Sequence, residues 1–177
     1  MSRKAAPCAP SLSTINCPLS TALIIGYGNP LRSDDGIGWR SAELLAECLA
    51  GQDVEVIPCH QLTPELAEPL SRSMRAVFID ADTQGKPGRI RRRVVRAETA
   101  AASAFTHTCT PSALLASARQ LYGHSPQAIA ITVTAQSFEY GGSLSSVVLA
   151  ALPKVVKQVR QLLGVAPPGS NQLTEQS

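Results

Sequence analysis

Four aspartates and a histidine stand where elements of the chain begin or end, and these residue types could do chemistry together. Asp34 and Asp35 close a loop that opens as Gly26-Tyr27-Gly28-Asn29-Pro30 and runs through Leu31, Arg32 and Ser33 to Gly36. Asp80 ends the apolar run Ala76-Val77-Phe78-Ile79, and alternation turns Asp82 to the same face. His107 lies three residues before Thr110-Pro111, a cap-plus-proline pair that marks a helix start. Two carboxylates and an imidazole make an oxygen and nitrogen ligand set that suits nickel, manganese, zinc or iron. Each residue also has a plainer reading. Carboxylates in a helix's first turn are stabilised by the macrodipole, so Asp34 and Asp35 also read as paired caps. Asp80 and Asp82 also read as turn aspartates, and His107 as a surface histidine. His60 follows a strand, and His124 at a helix end reads as a dipole partner.

Gly26-x-Gly28 after a strand invites a dinucleotide-binding reading. That fingerprint needs a third Gly or Ala where this chain has Leu31, and Asn29-Pro30 follows the second glycine. Carboxylates near the helix start would also compete with a pyrophosphate for the same backbone donors. No G-x-S-x-G elbow exists to present a nucleophilic serine.

Positioning these residues falls to alternating strands and helices. Leu23-Ile24-Ile25, Val54 to Ile57, Ala76 to Ile79, Ile90 to Val95 and Ala128 to Val133 read as strands. A helix beginning near Gly36 or Ile37 carries Ile37, Leu44, Leu45, Cys48 and Leu49 on its inner face, with Gly51 as its C-cap. Thr63-Pro64 opens a short helix over about 64–71, and Thr110-Pro111 opens another that Gly123 stops. Ser143 is expected to cap a long helix to Leu163, kinked at Pro153. This alternation predicts an α/β fold, a three-layer α/β/α sandwich around a twisted, mostly parallel sheet of about five strands. Ligands of such sheets gather outside the carboxyl ends of the strands, where both acidic pairs fall.

Bulk properties bound the rest. A chain of 177 residues is one domain, assigned to 21–164, with a disordered leader over 1–20 and a flexible tail over 165–177. Hydrophobic residues make up 44% and aromatics 4%, so the core must be built from Ala, Val, Leu and Ile. A charge of +3 without aromatic interleaving argues against nucleic acid. Arg89, Arg91, Arg92, Arg93 and Arg96 read as a solvated edge strand, or else as a docking surface for an acidic segment. Five cysteines without a C-x-x-C pair favour reduced thiols and a cytoplasmic location. No apolar run reaches the roughly 18 residues a membrane span needs.

The pattern Gly26-x-Gly28-Asn29-x-Leu31-x-x-Asp34-Asp35-Gly36-x-Gly38 resembles the opening signature of the nickel–iron hydrogenase maturation proteases. Ile79-Asp80-Ala81 resembles that family's second acidic motif, and His107-x-x-x-Pro111-x-x-Leu114-Leu115 its histidine and following helix. Phe138-Glu139-Tyr140-Gly141 and Leu144-Ser145 resemble its late segment, so the likeness runs from Thr21 to Leu163. Within the family, the loop, Thr63 to Glu68 and the late segment look most like the branch serving bidirectional NAD(P)-linked hydrogenases. The resemblance implies an endopeptidase, monomeric and without an organic cofactor. It would remove the C-terminal extension of a hydrogenase large-subunit precursor after nickel insertion. Nickel arrives in the substrate, held by the partner's cysteines, and Asp35, Asp80 and His107 contact it. The family's first acid is Glu or Asp, and Asp35 is the shorter choice. Thr108 and Cys109 follow the histidine where the family often has bulky residues. The competing reading is a non-proteolytic nickel-binding assembly factor with the same site.

Overall fold

The computed structural model describes residues 20–98 and 109–165. The leader and tail assignments, apart from Ser20 and Val165, therefore lie outside the described residues, as does His107. Five strands form one sheet: β1 (Ser20–Tyr27), β2 (Val54–Cys59), β3 (Ser73–Asp82), β4 (Ile90–Val95) and β5 (Gln127–Thr134). Their order is β2-β1-β3-β5-β4, with every pairing parallel except the antiparallel edge pair β4–β5. Leu23, Ile24 and Ile25 are fully buried because β1 is covered on both faces, as in a parallel sheet.

Two apolar layers follow from that alternation. Leu23, Ile25, Ala76 and Phe78 face α2 (Ala67–Ser71) and α3 (Pro111–Tyr122), meeting Leu70, Leu114 and Leu115. Ile24, Val77, Ile79 and Ile131 face α1 (Ile37–Cys48), α4 (Ser146–Leu149) and α5 (Leu152–Leu163), meeting Ile37, Leu45, Val148 and Val155. The three-layer sandwich expected from the sequence is the fold observed. Its core is aliphatic as the composition requires, with Phe78 the one fully buried aromatic among the described residues. Among the described residues no helix is long and apolar enough to cross a membrane.

Several local expectations need correcting. Strand β3 runs on to Asp82, because Asp80, Ala81 and Asp82 still pair with Thr132, Val133 and Thr134 of β5. Asp80 therefore sits inside a strand, not on a loop. On α1, Leu44 and Cys48 are exposed, and small residues, Gly38, Ser41 and Ala42, share the buried face with Ile37 and Leu45. Leu49 is the C-cap, and Gly51 lies beyond it with φ +82°. The 64–71 helix splits into a 3-10 turn, Pro64–Leu66, and α2, and Thr63 makes no side-chain cap bond. No helix starts at Ser143, since Ser145 is still extended and bonded elsewhere. Pro153 lies in the first turn of α5, where its missing N–H costs nothing, so two helices replace one kinked helix.

The start of α1 presses against the strand ends. A Cβ on Gly38 would lie 2.2 Å from the Tyr27 carbonyl oxygen and 2.4 Å from that of Ile79, and one on Gly26 would lie 2.1 Å from the Gly38 oxygen. Gly38→Ala is expected to destabilise the fold by about 3 kcal/mol, because backbone must move to admit the methyl. Gly142→Ala, where an added methyl would meet nothing within 4 Å, should change the urea midpoint hardly at all.

Candidate active site

Strand order reverses between β1 and β3: from β1 the chain crosses to β2 over one face, and from β2 to β3 over the other. Such a switch point opens a crevice at the strand ends. Tyr27 ends β1 there, and its register neighbour Asp80 lies on β3 beside it, since Gly26 pairs with Ile79. An open crevice of about 690 Å³ is lined by Asp35, Asp80, Asp82, Arg91, Arg93 and Phe138, among others. Asp35 and Asp80 are thus brought together as the sequence predicted, both partly buried.

The two aspartates of the first loop do different jobs. Asp34 is fully buried and does not cap its own helix. Its Oδ2 accepts from the Gln136 amide at 2.8 Å, the Ser137 amide at 3.1 Å and the Ser145 hydroxyl at 2.8 Å, while Oδ1 accepts from the Ser145 amide at 2.7 Å. Backbone bonds between Ser33 and Gly141, and between Gly141 and Leu31, complete a zipper joining the first loop to residues 136–145. Burial pushes the Asp34 carboxyl up, but the bonds from Ser145, Gln136 and Ser137 outweigh it and hold it below the ordinary range. Asp35 accepts the Asn29 amide at 3.0 Å and turns to the crevice. Gly28, at φ +132°, lets this happen: its Cβ would lie 2.0 Å from the Asp35 backbone oxygen. The space a dinucleotide phosphate would need against that glycine is filled by the chain itself.

Asp80 is perturbed the other way. Burial lifts its carboxyl, a hydrogen bond from the Tyr27 phenol and one from the Ala81 amide (2.8 Å) pull it down, and the charges of Asp35 and Asp82 lift it again, to about 6. The Tyr27 phenol is pushed far above its ordinary value by its own burial and then by the Asp80 charge. Asp82 is neutralised structurally: Arg91 Nη2 approaches to 2.6 Å, and Asp82 also accepts from the Gln84 amide at 2.9 Å. The arginine run is an edge strand, as expected, with Arg91, Arg92 and Arg93 along one wall of the crevice.

Neither described histidine joins the site. His60 is exposed and packs edge-on against Trp39, with centroids 4.8 Å apart, and His124 Nε2 lies 3.0 Å from the Ser73 carbonyl at the start of β3. Around the undescribed 99–108, Glu98 and Thr110 meet: the Thr110 hydroxyl donates to Glu98 at 3.1 Å, and the Glu98 amide to the Ser112 carbonyl at 3.2 Å. Thr110 also caps α3 by accepting from the Ala113 amide at 3.1 Å. Cys109 is half-buried against the same apolar layer as Tyr27 and Cys59, as a small packed residue. Among the described residues no three His, Cys, Asp or Glu side chains form a metal-binding group. Tyr27, the partner of Asp80, carries no signal in the sequence, because it occupies the variable position of Gly26-x-Gly28.

The opposite perturbations predict opposite variants. Asp34→Asn should lose stability on the order of 3 kcal/mol at neutral pH, since buried amide donors would lose their charged acceptor. That loss should shrink as pH falls through the depressed Asp34 value, where the wild-type carboxyl protonates as well. Asp80→Asn should gain stability above about pH 6, because wild type there holds a buried charge at a cost. The gain, on the order of 2 kcal/mol, should fade between pH 6 and 4, where folded wild type is already protonated. Urea titrations across pH 3–8 measure both.

No family model matches the sequence, and no curated protein matches it. Solved structures do. A hydrogenase 2 maturation peptidase from a Thaumarchaeota archaeon superposes with a TM-score of 0.65 at 26% identity, covering 82% of this chain and 99% of its own. The [NiFe] hydrogenase maturation protease HybD from Thermococcus kodakarensis gives 0.60 at 25% identity, covering 81% and 99%. The hydrogenase maturating endopeptidase HybD from E. coli shares the fold with a TM-score of 0.70 at 23% identity, covering 86% and 99%.

Proposed function

We propose that this chain is a hydrogenase maturation protease, a hydrolase of a peptide bond, and that it removes the C-terminal extension of a nickel–iron hydrogenase large-subunit precursor, a reading supported by its likeness to solved maturation proteases. The carrying observation is the meeting of Asp35 and Asp80 in one crevice at the β1/β3 switch point. The proposed substrate is the precursor after nickel insertion, its metal held by its own cysteine thiolates. Asp35, Asp80 and His107 take that nickel as substrate, and Asp35 and Asp80 face a common space open to it. His107 enters this reading through the family resemblance alone, since it lies outside the described residues.

Metal in this position would polarise the scissile carbonyl or activate a water. A carboxylate of the site acts as general base toward that water. The free thiols Cys48, Cys59 and Cys109 support a reducing compartment, and we place the reaction in the cytoplasm, carried out by a monomer. The loop and late-segment motifs support the branch serving bidirectional NAD(P)-linked hydrogenases.

The test is cleavage of nickel-loaded precursor, followed by its change in length. Asp35→Ala, Asp80→Ala and His107→Ala should each lower processing by at least about 100-fold. Three variants that all process normally would sink the assignment. Wild-type kcat/KM should also rise with pH through about 6, as Asp80 of the free protein ionises and becomes able to take the metal, and level off above it. Tight nickel binding without precursor, with no cleavage of it, would favour the assembly-factor alternative.

A further inference from the structure

We propose that Tyr27 is a positioning residue for Asp80, fixing through its phenol the direction in which that carboxylate meets the substrate; this rests on the protease reading above. Sheet register sets the pair side by side, since Gly26 and Ile79 are partners and Tyr27 and Asp80 come next on neighbouring strands. Both side chains leave the same face, that of Leu23, Ile25 and Phe78. The Tyr27 ring packs against this apolar layer, and its hydroxyl hydrogen-bonds Asp80. A phenol held by packing is a donor with little freedom left.

Asp80 needs such a donor. The Ala81 amide bonds its Oδ1 at 2.8 Å, but this donor belongs to the next residue and follows the carboxylate's own backbone. Tyr27 supplies a bond from a second strand, and two donors from different strands fix the carboxylate plane where one would let it turn. Arg93, along the crevice wall, puts a positive charge near the phenol that pulls its value down, but burial and the Asp80 charge outweigh it, so the phenol stays protonated as the donor. The glycine loop makes no demand for tyrosine at this position: Gly26 and Gly28 are required by backbone contact, whereas residue 27 is free to serve the carboxylate. Outer residues that orient a metal-contacting carboxylate act through it and not on the substrate directly.

Steady-state cleavage of nickel-loaded precursor by wild type, Tyr27→Phe, Asp80→Glu and the double variant tests this. Phenylalanine keeps the ring and its packing but takes a donor from a buried carboxylate, so the urea midpoint should fall modestly while the transition stays cooperative, which shows that the variant still folds. Tyr27→Phe is expected to lower kcat by about 10- to 100-fold with KM nearly unchanged. Added to Asp80→Glu, whose carboxylate is already displaced, it should cost less than about twofold more. Wild-type kinetics for Tyr27→Phe, or losses that simply multiply in the double variant, would overturn the proposal. If wild type leaves the loaded precursor intact, the protease reading falls and this one with it. If wild type cleaves, Asp80→Ala does not and Tyr27→Phe matches wild type, only this inference falls.

Discussion

The backbone of α1 passes so close to β1 and β3 that no side chain fits between them. Gly26 and Gly38 are the two halves of that contact, and each would drive a Cβ into the other's chain or its neighbour's. Helix and strand ends meet at main-chain distance, and the loop between them is forced to fold back over the sheet edge. Gly28 takes the return, and Asp35 comes to rest above the end of β1. The acidic loop is thus a geometric product of glycine packing, and the same glycines that mimic a phosphate-binding turn leave no room for a phosphate.

Two carboxylates adjacent in sequence acquire opposite fates from that geometry. Asp34 is swallowed and saturated by four donors, so it is stable as an anion and fixed in place. Asp35 keeps one backbone donor and faces open space. Across the crevice Asp80 is undersupplied with donors and near other negative charge, which is the condition that holds a carboxyl close to neutrality. Arg91 meanwhile removes Asp82 from the contest by pairing with it. Asp35 and Asp80 are the acids the fold leaves least satisfied.

Much of this was legible in the residues. The apolar runs and the cap-plus-proline signals located all five strands and α3, and their alternation gave the sheet its class. The pairing of Asp35 with Asp80 followed from both standing near strand ends of a parallel sheet. What failed did so for tertiary reasons. Asp80 looked like a loop residue because polar character usually ends a strand, whereas β5 extends the pairing to Asp82. Ser143 looked like a cap because Asp34's claim on Ser145 joins residues more than a hundred positions apart. Leu44 and Cys48 looked inward because helical spacing cannot tell a large residue from the small ones that closest approach demands. Tyr27 was invisible because its role is defined only by the strand next to it.

The Asp34 zipper also orders events in time. Its donors lie at Gln136, Ser137 and Ser145, so the first loop acquires its last constraints from residues made near the end of the chain. A nascent chain emerging from the ribosome can pair β1 with β2 and β3 long before those donors exist. Contacts of such wide sequence separation form late, after the loop-closure entropy has been met. Half-synthesised protein would therefore carry the sheet without a set Asp35, and the crevice would take its final shape only in a chain translated at least through Ser145.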